Sequence, residues 1–340
     1  GALTERPAWH DVSRVLRDGR RTTVVQVAPA TRVAISEEFD MPPGTVSTGR
    51  LVNALREAGL PCAKHAVVTC LADAAGFVEE VGFPIVLKPP AGSGCRSTFA
   101  CHDAGELRQA LAASRPAPGR EVLAEEYLSG TEFSFETITV QGRPVFHSIS
   151  RYLPGPLEVS KNPWMQWVCV LPRDISGPGF DRVRDVGVRA VQGLGMHSGM
   201  THMEWFRRPD GTVAVGEIAM RPPGAQFVSL MSWAYDHDMY RAWARAAVDD
   251  TFDGPVERRW AVSIAYLRGM GRGRVARVDG LAQAQREMGE LVVEANLPTE
   301  GAPRSSHYEG DGYVILRHPR TDVVMAATKR LIETVQVRYR

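Results

Sequence analysis

The stretch THMEWFRRPDGTVAVGEIAM, residues 201–220, most constrains what this chain can build. Two apolar runs flank Pro209-Asp210-Gly211, a turn-forming tripeptide, so they read as a β-hairpin. Each run carries one carboxylate in mid-strand, Glu204 and Glu217, and pairing about that turn sets the two nearly opposite each other. Like charges facing each other across a strand pair repel. A dication between them would remove the repulsion, and carboxylate oxygens suit Mg²⁺, with Mn²⁺ as an acceptable substitute. From this pair alone the other arrangement, with both acids turned to solvent on an open sheet face, stands equally. Arg221 follows four residues after Glu217, just before the rigid Pro222-Pro223-Gly224 turn.

The rest of the composition bounds the class. A chain of 340 residues is long enough for two or three compact units with a sizeable core. Its 40 basic and 39 acidic residues nearly cancel, which argues against a nucleic-acid footprint or a membrane-surface face. The five cysteines (Cys62, Cys70, Cys95, Cys101, Cys169) are odd in number and never spaced C-x-x-C, a usage that suits reduced thiols. No apolar run approaches the ~18 residues of a membrane span, and the first twenty residues lack an apolar signal core. The expectation is a soluble, cytoplasmic globular protein with no nucleic-acid or membrane partner, for which a homodimer is compatible.

Periodicity gives the organisation. TTVVQVAP (22–29) reads as a first strand, STGRLVNALREAGL (47–60) as a helix and LADAAGFVEEVG (71–82) as a second helix leading into the strand PIVLK (84–88). EVLAEEYLSG (121–130) reads as strand then turn, followed by strands TEFSFETITV and RPVFHSIS, a helix over 179–195 and the hairpin described above. A helix near 236–248, strands AVSIAYL, ELVVEAN and GYVILRH, and a final helix over 321–336 complete the pattern. This is an α+β chain in which antiparallel hairpins outnumber βαβ units.

Two further stretches carry chemistry. FPIVLKPPAGSGCRSTF (83–99) ends a strand in Lys88, stiffens its exit with two prolines and opens a loop with Gly92, Ser93 and Gly94. Backbone N–H groups in such a loop can cradle phosphate oxygens beside the lysine charge. Neither a Walker A order nor a dinucleotide G-x-G-x-x-G fingerprint is present, and a surface turn would look much the same. EEYLSGTEFSFE (125–136) closes a strand with Glu125 and Glu126, turns, and places Glu132 seven residues after Glu125. Main-chain groups at such a strand end can read a base edge, and a carboxylate nearby can hold hydroxyls; a charged strand end with no such role is the plainer reading.

In order and spacing these stretches resemble the ATP-grasp superfamily, in its biotin-carboxylase-like branch, over about residues 58–250 and more loosely to 340. The resemblance implies an ATP-grasp fold in which two α+β lobes clamp the nucleotide. It implies a small lobe over 61–128, a large lobe with the metal site over 129–253 and a closing segment over 254–340, and it leaves 1–60 as a short N-terminal segment, reduced against the N-terminal domain that the family would lead one to expect. It implies Lys88 on the α/β-phosphates and Gly92, Ser93 and Gly94 as a flexible loop above them. Glu125, with the backbone of Glu126, Tyr127 and Leu128, would meet adenine, and Glu132 the ribose. Glu204 and Glu217, thirteen residues apart, would bind Mg²⁺, and Arg221 would steady the acyl phosphate or substrate carboxylate. The implied activity is an ATP-dependent carboxylate–amine ligase that works through an acyl phosphate on small-molecule acids and amines and releases ADP and phosphate.

The chain departs from the pattern where a third metal ligand, an asparagine, is usual and Ala219 stands, and where a lysine is usual and Thr48 stands. Those two departures favour the rival, a non-catalytic nucleotide-binding or regulatory module on the same fold. Residues 24–59 also resemble a stretch of iron-only hydrogenase, without a cluster-ligating cysteine and so without that function. His202, two residues before Glu204, can face substrate or core. Trp164 and Trp167 can close over a substrate, but core packing is the usual reading for aromatics, and Cys95 lies inside the glycine loop.

Overall fold

A computed structural model describes Leu55 and residues 59–89 and 98–340. The expected first strand, Thr48, most of the 47–60 helix, Cys95 and the glycine loop Gly92, Ser93 and Gly94 lie outside the described residues. Among those described, no helix is long and apolar enough to cross a membrane.

The first lobe is a four-stranded sheet built from β1 (His65–Val68), β2 (Ile85–Lys88), β3 (Phe99–Cys101) and β4 (Val122–Glu126), in the order β1-β4-β2-β3. Helices α1 (Leu71–Val81) and α2 (Ala104–Ser114) cover one face, burying Ala74, Phe77, Leu107 and Leu111 against Val68, Ile85, Leu87 and Ala124. Asp103 caps α2, its carboxylate accepting from the N–H groups of Gly105 and Glu106, which are otherwise orphaned at a helix start. The strands and α1 follow the expected periodicity. Helix α2 was not expected, because its apolar positions are interrupted by small and polar residues.

The second lobe is an eight-stranded sheet, ordered β12-β13-β10-β7-β6-β5-β8-β9. Its strands are β5 (Thr131–Val140), β6 (Arg143–Leu153), β7 (Trp167–Leu171), β8 (Gly199–Arg207), β9 (Val213–Ala219), β10 (Ala261–Leu267), β12 (Val292–Asn296) and β13 (Gly312–His318). Every ladder between described strands is antiparallel. Alternation along the strands gives both faces a core. On one face Phe133, Phe135, Met203 and Trp205 meet α4 (Asp181–Gly193) through Val183, Val186 and Ala190. Further along that face Val168, Val170, Ala265 and Leu267 meet α7 (Leu281–Met288) and α8 (Thr321–Thr334). On the other face Ile138, Met200, Ile264 and Tyr266 pack on α5 (Phe227–Tyr235) and α6 (Met239–Asp249).

The short α3 (Pro156–Lys161) follows β6, and a two-stranded sheet, β11 (Val275–Asp279) with β14 (Gln336–Tyr339), lies outside both main sheets. The helix expected near 236–248 is α6, and α5 precedes it unannounced. Trp167 is core, as expected, stacked on Tyr266 with ring centroids 4.9 Å apart, whereas Trp164 is 51% exposed and belongs to no core. Strands after residue 253 share one sheet with strands before it.

Candidate active site

The two sheets meet along a seam on which Lys88, Glu125, Glu132, Glu204, Glu217 and Arg221 converge. Pro61 and Cys62, leading into β1, join the edge strand β9: Val215 N–H donates to the Pro61 carbonyl at 2.7 Å, and Cys62 bridges Val215. Across the seam Arg208, at the β8–β9 turn, pairs with the Glu126 carboxylate at 3.0 Å. The same carboxylate accepts from Lys64 N–H at 3.3 Å, and Glu126 N–H donates to the Lys64 carbonyl at 2.8 Å. The segment from Tyr127 to Gly130 then crosses from β4 to β5, with the Tyr127 ring tilted against His102, centroids 6.1 Å apart.

Glu204 and Glu217 are direct partners in the β8–β9 ladder. The sequence put them nearly opposite; the register makes the opposition exact to the residue. Cations approach this pair from two directions. Lys88, at the end of β2, forms an ion pair with Glu125 on the neighbouring β4 at 2.7 Å, and both side chains are mostly buried. Burial works against the lysine's charge, but Glu125, then Glu217 and Glu204, outweigh it and hold the ammonium above the usual lysine value. Arg221 lies beyond β9, its guanidinium donating to the Pro222 carbonyl at 3.0 Å. Burial pushes the Glu204 carboxyl up, yet His202, followed by Lys88 and Arg221, brings it below the ordinary glutamate value.

Glu132, near the start of β5, has its Oε2 against the backbone of Gly155 at the start of α3; a Cβ at residue 155 would sit 2.4 Å from that oxygen. Burial, then the charge of Glu204, raises its carboxyl well above the usual range, against a smaller pull from His202. His202 settles the question that the sequence left open, because it faces the acids. Its Nδ1 lies 2.9 Å from Glu136 Oε1 and its Nε2 lies 3.6 Å from Glu204 Oε1. Burial opposes the imidazolium, but these two carboxylates outweigh it and raise the ring to about 9.

Glu136 was missed. The signal was present in TEFSFETITV, where Glu132, Ser134 and Glu136 alternate with Phe133 and Phe135, so one face of β5 is polar although both faces are covered. Among the described residues no group of three or more His, Cys, Asp or Glu side chains converges to hold a metal by itself. Two opposed carboxylates with lysine and arginine beside them nonetheless suit a hard dication that completes its octahedron with water and phosphate oxygens, as Mg²⁺ does. The cations that remain suit the phosphates themselves.

Comparison with known proteins agrees with this geometry. The family described as ATP-grasp domain matches residues 53–233. A second family, the C-terminal domain of the iron-only hydrogenase large subunit, matches only residues 21–81. The uncharacterized protein y4rH of Sinorhizobium fredii is 25% identical over 291 residues, covering 83% of this chain and 58% of that protein. The L-arginine-specific L-amino acid ligase of Bacillus subtilis is 27% identical over 193 residues, 55% of this chain and 46% of the ligase. The chain therefore spans about half the length of these relatives. The crystal structure of L-amino acid ligase from Bacillus licheniformis shares the fold, with a TM-score of 0.76 at 20% identity, over 99% of this chain and 86% of that one. With a small and a large antiparallel lobe meeting at one seam, and the family match extending over just more than half of its length, the chain belongs to the ATP-grasp family.

Proposed function

We infer that this protein is an ATP-dependent ligase that joins a small-molecule carboxylate to an amine through an acyl phosphate. The observation that carries the reading is the in-register opposition of Glu204 and Glu217, with Lys88 and Arg221 charges reaching the same pair. Opposed carboxylates repel, the neighbouring cations offset that repulsion, and a multivalent ligand that needs both signs of charge suits the same site. Lys88, held by Glu125, contacts the α/β-phosphates, and Gly92, Ser93 and Gly94 belong to the loop above them. The backbone from Glu126 to Leu128 reads the adenine edge; because Glu126 N–H is engaged by Lys64, the donor offered to the base is Leu128 N–H. Glu132 takes the ribose hydroxyls. Mg²⁺ held by Glu204 and Glu217 would neutralise charge on the β- and γ-phosphates.

The acid's carboxylate oxygen attacks the γ-phosphorus and ADP leaves. Arg221 holds the acyl phosphate by charge-assisted hydrogen bonds. The amine nitrogen then attacks the acyl carbon, phosphate leaves with the bonding pair, and the amine gives up one proton. Positioning and charge stabilisation supply most of the acceleration, as in phosphoryl transfer generally. The family relationship to an L-amino acid ligase favours an amino acid as one substrate. The small lobe over 61–128 and the large lobe over 129–253, whose sheet the closing segment over 254–340 completes with β10, β12 and β13, would enclose the reactants.

The test is ADP release from MgATP against a matrix of amino acids and other small carboxylates and amines. Release that requires one acid and one amine, with an amide product by mass, is the expected result. Nucleotide binding without ADP release for any pair would instead favour the non-catalytic module that Ala219 and Thr48 allow. Lys88→Ala should weaken ATP binding by calorimetry roughly tenfold or more, since a charge-assisted hydrogen bond contributes ~1.5–3 kcal/mol. Unchanged affinity would remove Lys88 from the phosphate site.

A further inference from the structure

Glu136 lies in mid-β5 with 1% of its surface exposed, and its Oε2 finds no hydrogen-bond partner among the described residues. A carboxylate there costs free energy unless a partner meets it. That partner is His202, its direct neighbour across the β5–β8 ladder, which accounts for Oε1. His202 is buried too, stands opposite Ala219 in the β8–β9 ladder, and is flanked by the Phe227 ring, centroids 6.0 Å apart. Glu136 therefore selects the rotation of an imidazole whose place is bounded by packing. His202 and Glu204 are two residues apart on one strand and share a face. The three side chains run in a line from a buried anchor, through the ring, to the carboxylate whose register partner is Glu217.

We propose that Glu136 and His202 are positioning residues that fix the Glu204 carboxylate toward Glu217, presetting the cation site before nucleotide arrives. This rests on reading Glu204 and Glu217 as the metal pair of the ligase. Stability alone is a poor reason for the dyad, because apolar residues of similar volume often replace a buried ion pair at no cost or with a gain. Direct ligation by His202 is disfavoured, because both ring nitrogens already face carboxylates. Partners that orient a metal's carboxylate or imidazole ligand typically contribute ~10–100-fold to metal affinity, and that role fits the line of contacts.

Manganese serves as the probe, counted by electron paramagnetic resonance as Mn²⁺ bound in the presence of ADP. Glu136→Gln and His202→Gln should each weaken that binding roughly tenfold. The double variant should be no weaker than the poorer single one, because both act through the same carboxylate. Metal-free ADP binding, read by calorimetry, should be unchanged. Glu136→Gln is nearly isosteric and keeps the test available if His202→Gln does not fold. Unchanged Mn²⁺ affinity in the single variants overturns the proposal, as do fully additive losses. A nitrogen hyperfine coupling on bound Mn²⁺ that His202→Gln abolishes would make the ring a ligand and also overturn it. If the unaltered protein takes up no Mn²⁺ with ADP, or if Glu217→Gln leaves that uptake intact, the metal-pair reading fails, and the dyad's role fails with it.

Discussion

Glu217→Gln should reduce Mg²⁺-dependent ADP release by at least ~100-fold, in the range seen when one group stabilising transition-state charge is removed. The change keeps shape and hydrogen-bonding capacity but removes one of two charges that stand opposite each other in the β8–β9 ladder. Its effect on the folded protein should have the other sign. Without metal the two carboxylates repel, so the variant's melting temperature should not fall below that of the unaltered protein. A Mg²⁺ titration of ADP release, paired with thermal melts in chelator, reads both effects. Full activity in the variant would remove Glu217 from the metal pair and leave the ligase reading without its main support. Lost activity accompanied by a lower melting temperature would instead reassign Glu217 to holding the two lobes together, through the charge of Lys88.

A large effect on stability is expected at Gly130, where the chain crosses between the lobes. Its φ is +137°, and a Cβ there would lie 2.2 Å from the Arg207 carbonyl oxygen. That backbone cannot yield easily. The Arg207 guanidinium donates to the Gly179 carbonyl at 2.7 Å and lies 5.0 Å from the centroid of the Phe133 ring and 5.7 Å from that of Trp205. Overpacking of a fixed contact costs ~1–3 kcal/mol and a strained backbone conformation a similar amount, so Gly130→Ala should lose about 3 kcal/mol or more. Gly142→Ala is the control: its φ is +77°, but nothing lies within 4 Å of the added methyl. Thermal or urea unfolding of the two variants separates conformation from collision. Equal losses would mean that the Arg207 backbone moves aside, and that the crossing is looser than its contacts imply.

Legibility in the sequence followed a physical rule. Strands with clear alternation and the opposed acids were readable because a hairpin turn of known composition fixes register, and register fixes which side chains face each other. Helix α5 was not readable. FVSLMSWAY is apolar all round, and it starts after Ala225 and Gln226, both at positive φ, without a side-chain cap. The β11–β14 sheet escaped for the opposite reason: VARVD and QVRY are short, mixed in polarity and paired with a register shift. Glu136 was hidden by its strand, since an acid amid Phe, Thr and Ile looks like a solvent-facing position until a second layer covers that face. Trp164 shows the converse, an aromatic placed in the core by composition and left outside by the turn that carries it.

The eight-stranded sheet limits how such a chain can be cut or recombined. β10 lies between β7 and β13, so Ala261–Leu267 supply hydrogen bonds to strands from both sides of residue 253. A fragment stopped at 253 would end its sheet in Trp167–Leu171, five buried residues with an open ladder edge. An exposed, flat, apolar edge of that kind is a template for aggregation. Shuffling this C-terminal part among relatives therefore means transplanting strands into a shared core. Exchange that respects the packing would cut twice, between Cys62 and β1 and again before β5, where the two described segments that join the lobes lie, and the smaller lobe is the piece that evolution or an engineer could exchange.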